Sequence, residues 1–207
     1  MKTAKRRRPR RARKPDARLL SVAQVAAAVR TMAQPSGTAR FGAGKALSHT
    51  AERDARRVYP HFDAIAALLT ADGKIVRWNA MSILAALAPV DGEHKLDAVV
   101  EPWLATIRGD NLVSAANAIR GLGAIAAARP DLKDRIVSGL LAVEGATYET
   151  PECRNVAIGQ VLGVLDELGA PSSERVDVAG FVRRQVENPR AAVARRATHM
   201  LGNGKRR

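Results

Sequence analysis

One nine-residue frame recurs along the chain and constrains its fold more than any other feature. Laid on VRWNAMSIL from Val76, the frame puts Ala80 at offset +4 and Leu84 at offset +8. It also fits segments starting at Ala39, Ser114, Cys153 and Val193, so successive starts lie 37, 38, 39 and 40 residues apart. Offset +4 is then Ala43, Ala80, Ala118, Ala157 and Ala197, and offset +8 is Leu47, Leu84, Leu122, Val161 and Leu201. At 100° per residue these offsets fall near one helical face. A small residue followed one turn later by an aliphatic one predicts helices that cross closely. Alanine at the crossing lets the axes approach to the short end of the usual ~8–10 Å range. A bulky replacement there overpacks the contact by roughly 1–3 kcal/mol.

Partner helices are expected between these segments. DARLLSVAQVAAAVRTMAQ (16–34) reads as a helix capped by Asp16 and stopped by Pro35. YPHFDAIAALLT (59–70), EHKLDAVVEPWLATI (93–107), DLKDRIVSGLLAVE (131–144) and SERVDVAGFVRRQVE (173–187) follow, several opening on Pro, Asp or Ser as first-turn preferences require. Pro102 is expected to kink or divide the third, and AERDARRV (51–58) reads as one extra short helix. Aromatic residues make up 3% of the chain against 46% hydrophobic, so the apolar mass is mostly Ala, Val, Leu and Ile, which favours packed helices over strands. A two-helix unit of this length, repeated about five times over residues 16–203, predicts an all-α helical solenoid.

The second helix of each unit, V-R-x-x-A-x-x-x-L, resembles the HEAT repeat of the armadillo-type superfamily, most closely in VRWNAMSILAAL. Small bacterial HEAT proteins are similar in outline. The +1 Arg is present as Arg40, Arg77 and Arg154, while Ala115 and Ala194 depart from the pattern. The resemblance implies a right-handed solenoid curved into a rod, with second helices lining its concave side. It also implies that the +1 Arg pairs with an Asp near the preceding turn, which Asp72 would supply for Arg77. It carries no activity, since such arrays mostly scaffold proteins and some bind nucleic acid.

The formal net charge of +14 sits at the two ends. Residues 1–18 hold ten Lys/Arg against one acid and residues 182–207 hold eight against one, whereas the stretch between is slightly acidic. Residues 1–15 therefore read as a disordered basic arm and 204–207 as a basic tail. Lys5, Arg6, Arg7, Arg8, Arg10, Arg11, Arg13 and Lys14 of the arm, with Lys205, Arg206 and Arg207, are candidates for non-sequence-specific phosphate contact with nucleic acid. An organellar or nuclear-import signal is the competing use of such an arm. The apolar stretch after it is broken by Gln24 and Arg30, which argues against secretion. One cysteine and no membrane-length apolar run make a reducing, cytoplasmic setting the expectation.

Offsets +2, +3, +6 and +10 point away from the apolar arc and hold no acid in any of the five segments. They supply Lys45, Arg120, Arg195 and Arg196 as further phosphate or carboxylate ligands, and Trp78, Asn79, Asn117 and Asn155 as partner-binding residues. A Trp covering a groove between helices is the commoner use of a residue such as Trp78. Trp103, beside Pro102, reads as core.

Nothing in the sequence names a reaction, and no catalytic residue, cofactor or metal ligand is expected. His49, His61, His94 and His199 are scattered without ligand spacing, and Cys153 falls on the apolar arc as a small buried hydrophobe. FGAGK (41–45) lacks the spacing and preceding strand of a phosphate loop. HEAT-like DNA glycosylases use an Asp and aromatics on a basic concave face; the acid-free strip and low aromatic content depart from that pattern. The expected function is a non-catalytic module that docks a partner on its concave face while its basic ends contact nucleic acid. The alternative is a protein–protein scaffold whose tails tune solubility or location.

Overall fold

Ser21 and Gln24 start the first helix by satisfying each other's backbone. Ser21 Oγ accepts the Gln24 N–H at 3.3 Å and Gln24 Oε1 accepts the Ser21 N–H at 2.8 Å, a reciprocal capping box. The helix therefore begins after Ser21 and not after Asp16, which lies outside the described residues. The computed structural model describes residues 19–109, 111–169 and 175–204.

Eleven α-helices are present among these residues: α1 (Val22–Met32), α2 (Ala39–Arg53), α3 (Ala55–Val58), α4 (Phe62–Ala66), α5 (Lys74–Leu87), α6 (Leu96–Ala105), α7 (Leu112–Ala128), α8 (Pro130–Leu140), α9 (Pro151–Glu167), α10 (Val176–Arg184) and α11 (Ala191–Gly204). Several end in a 3-10 turn, and no strand occurs among the described residues. Pro130 and Pro151 stand at first helical positions, where the missing N–H costs nothing.

Two local expectations are corrected. Residues 51–53 finish α2, and the extra short helix is only α3, started by the Asp54 carboxylate accepting the Arg57 N–H. Pro102 neither divides nor ends α6, which runs through it. The proline removes one intrahelical bond, but Val100, Trp103 and Leu104 on the same helix are buried, and that packing holds the segment helical.

The fold is all-α, with the longer helices α2, α5, α7, α9 and α11 packed in a row, each on the next. Behind them α1 packs on α2, α4 on α5, α6 and α8 on α7, and α10 on α11. The core fills the space between these two layers. Ala80, Ala118, Ala157 and Ala197 are fully buried in it, as are Leu47, Leu84, Leu122 and Val161. In the first unit the close crossing falls one residue on. Ala43 is half-buried, while a Cβ at buried Gly44 would come within 2.4 Å of Asn79 Nδ2. Trp103 is core, at 1% exposure, and presses on Gly121, where a Cβ would meet its Cζ2 at 2.4 Å.

The Arg77–Asp72 pair does not form. Arg77 instead donates to the Ala71 carbonyl, and Arg40 donates to the Pro35 carbonyl at 2.9 Å. In both units the guanidinium donates to a backbone oxygen of the preceding turn, tying that turn to the helix that follows it. Cys153 is half-buried rather than sealed in the core, with Thr150 Oγ1 donating to its sulfur at 3.2 Å. Among the described residues, no helix is long and apolar enough to cross a membrane.

Candidate functional site

The row of second helices exposes one continuous face, and the helical frame decides which side chains occupy it. Lys45 on α2, Arg120 on α7 and Arg195 on α11 are exposed there, and none makes an ion pair or side-chain hydrogen bond among the described residues. Arg196 is also exposed, but it lies back on α9, donating to the Gly159 carbonyl at 3.3 Å and covering Gly163.

The amide and indole candidates are drawn into contacts within the fold. Trp78 Nε1–H donates to Ser114 Oγ at 3.0 Å, tying α5 to α7. Asn79 packs over Gly44, which joins α5 to α2. Asn117 donates to the Val113 carbonyl of its own helix at 2.8 Å. Asn155 is buried and accepts from Asn188 Nδ2 at 3.3 Å. Lys5, Arg6, Arg7, Arg8, Arg10, Arg11, Arg13, Lys14, Lys205, Arg206 and Arg207 lie outside the described residues.

Elsewhere many charges are paired. Lys95–Asp63 (3.0 Å), Arg135–Glu101 (2.6 Å), Arg175–Asp134 (3.1 Å) and Arg184–Glu144 (2.6 Å) bridge neighbouring first helices or the turns beside them from α4 to α10, and Arg190–Glu152 bridges α9 and the turn before α11. The densest knot centres on Arg129, buried at the α7–α8 junction. It contacts buried Asp91 and also reaches Asp97 at 2.7 Å, Asp131 at 2.6 Å and His94 Nδ1 at 2.8 Å. Asp91 further accepts from the Tyr59 hydroxyl (2.8 Å) and the backbone N–H groups of Lys95 (2.9 Å) and Leu96 (3.1 Å). The Arg129 guanidinium holds the Asp131 carboxyl down to about 2.

His94, Asp97 and Asp131 bring ligand atoms within 4.8 Å of one another, a grouping that residue spacing in the sequence did not reveal. Arg129 already lies against all three, donating to each within 2.8 Å. A guanidinium thus fills the place a metal ion would take, and the cluster is a structural junction.

One concavity opens on the exposed face, about 240 Å³ in volume, between α5 and α7 with the end of α2 as its third wall. Ala85, Ala86, Gly121 and Ala124 make an apolar floor, and Ser82, Asn117, Arg120 and Glu52 stand around it. Extending the frame to offset +13 brings two acids, Glu52 and Asp166, onto this face; stopping at +10 missed both. The first turns of α5 and α7 add exposed Ile75 (45%) and Val113 (47%). The middle of the face is therefore more apolar than the sequence led us to expect, and its unpaired cations stand apart along the row.

No protein-family model and no curated protein matches the sequence. Eleven chains of known structure do match. One is the crystal structure of an engineered protein, with a TM-score of 0.59 and 17% sequence identity over 88% of this chain and 79% of that one. At that identity the likeness shows a shared all-helical arrangement, and the function must be argued from the face itself.

Proposed function

We propose that the chain is a HEAT-like helical solenoid and a non-catalytic binding module. Its second helices line a concave face that docks a partner, and its basic ends contact nucleic acid. The observation that supports this is the set of free cations on that face: Lys45, Arg120 and Arg195 on the second-helix face are exposed and unpaired among the described residues. Cations that stabilise nothing within the fold are available to an anionic partner, and extended concave surfaces are how repeat arrays bind. The arm adds positive charge, and contact with a phosphate backbone needs no sequence readout.

A protein–protein scaffold is the second reading, favoured by the apolar hollow between α5 and α7. Fluorescence anisotropy with labelled duplex DNA, single-stranded DNA and RNA separates the two. Full-length protein is compared with a variant beginning at Leu19, at low and near-physiological salt. The nucleic-acid reading predicts binding that weakens on truncation and with salt, with a log–log slope of roughly −4 to −5 if six arm charges meet phosphates. If full-length protein fails to bind any of the three at low salt, that reading is wrong and the scaffold reading stands.

A further inference from the structure

The hollow between α5 and α7 differs from the rest of the face in three ways. It has depth; half of its lining is alanine and glycine; and it is lined by one acid, Glu52 from α2, and one arginine, Arg120 from α7. Arg120 and Glu52 both line it, yet they form no ion pair with each other, and neither they nor the Ser82 hydroxyl has a side-chain hydrogen bond among the described residues. Only Asn117 is engaged, through the Val113 carbonyl, and its amide oxygen remains available.

Size and charge narrow the occupant. At about 240 Å³ the hollow is below the ~300–1,000 Å³ typical of small-molecule and cofactor sites, but it can hold one or two side chains. A phosphate backbone gains nothing from the alanine floor and is repelled by Glu52. A carboxylate is attracted by Arg120 and repelled by Glu52, so it has one favoured end of the hollow. An aliphatic group beside that carboxylate would cover Ala85, Ala86 and Ala124, which otherwise face water or lie just beneath it.

We propose that this hollow is a docking site for an extended segment of a protein partner that places an aliphatic side chain on the alanine floor and an adjacent carboxylate on Arg120. The site accounts for two features that phosphate contact leaves unexplained, the apolar floor and the acid at its rim. The inference rests on the proposed use of the second-helix face for binding, but it does not depend on the basic arm. It can fail while arm-dependent nucleic-acid binding holds, and the reverse.

The test is amide chemical-shift mapping on the ¹⁵N-labelled full-length protein with three probes. These are the blocked hexapeptide Gly-Ala-Leu-Asp-Ala-Gly, its Leu-Lys counterpart, and a short single-stranded oligonucleotide. The Leu-Asp peptide is expected to shift amides of α5 and α7 around Ala86 and Arg120, with a Kd of about 0.1–1 mM. Arg120→Glu should weaken it roughly tenfold and make the Leu-Lys peptide the better ligand. Ala124→Leu, at an exposed position that leaves the core untouched, should abolish both by filling the hollow. The amide spectrum of each variant reports directly whether it has folded. Equal binding of the two peptides, shifts confined to other helices, or no shift at about 5 mM peptide would each overturn the proposal. Stronger perturbation of the same amides by the oligonucleotide would overturn it in favour of phosphate.

Discussion

Replacing Arg129 with Met should cost far more than replacing any other arginine that links two units. The Arg129 side chain is 8% exposed and its partner Asp91 is wholly buried. After Arg129→Met, Asp91 keeps its bonds from Tyr59 and from the backbone of Lys95 and Leu96, but its charge is left without a counterion. Asp97 and Asp131 also lose the cation that separates them. Removing one member of a buried pair costs about 3–5 kcal/mol, against a whole-domain stability of about 5–15 kcal/mol. For a chain of this size that is a fall in Tm of roughly 6–20 °C. The control is Arg135→Met, which breaks a pair with Glu101 whose side chains are 42% and 60% exposed. Water and salt screen that pair, and its loss should cost under about 1 kcal/mol. Thermal unfolding followed by far-UV circular dichroism compares the two variants directly. Should Arg129→Met lower Tm no more than Arg135→Met, the reasoning that burial sets the worth of these links is refuted.

Three further outcomes follow from the same geometry. Gly121→Ala sets a methyl 2.4 Å from the Trp103 ring, so it should destabilise by about 1–3 kcal/mol in urea unfolding and shift the fluorescence of this buried indole, whereas Gly92→Ala, with open space around it, should do neither. Ser21→Ala removes the side-chain half of the α1 capping box and should cost about 1 kcal/mol, read as faster amide exchange in the first turn of α1. The Arg129 guanidinium depresses the Asp131 carboxyl from its ordinary 3.8 to about 2, so the stability it contributes is complete above pH 3.8 and lost as the pH falls toward 2; Asp131→Asn should flatten that limb of a Tm-against-pH curve and leave the limb above pH 5 parallel to the parent's.

The recurring alanine was legible because it is a backbone-approach requirement, and such requirements act on single residues. Ala80, Ala118, Ala157 and Ala197 are fully buried where their helices cross. The helix ends were less legible. The Ser21–Gln24 box was available in the sequence, but Asp16 competed for the same role and nothing local ranks two caps five residues apart. The continuation of α6 through Pro102 depends on what Trp103 buries, which is a tertiary fact. The face itself was half legible. Helical periodicity placed Lys45, Arg120 and Arg195 outward, and it also placed Trp78, Asn79 and Asn155 outward although each is engaged by a neighbouring helix or the turn before it. Direction around an axis is periodic, but whether a neighbour reaches a side chain depends on the spacing of the helices. The Arg129 knot was illegible for the same reason, since Arg129 and the buried Asp91 at its centre stand 38 residues apart.

The central claim is that the unpaired cations of the second-helix face, and not positive charge in general, receive the anionic partner. Two double variants with the same change in net charge test it. Lys45/Arg195→Ala strips the cations of that face that lie outside the hollow between α5 and α7, while Arg30/Arg183→Ala removes two exposed arginines of α1 and α10 that are unpaired among the described residues. Oligonucleotide binding by anisotropy at near-physiological salt should weaken at least about tenfold in the first and under about threefold in the second. Equal loss in both would show that net charge alone governs binding, and would contradict the assignment of this face as the docking surface.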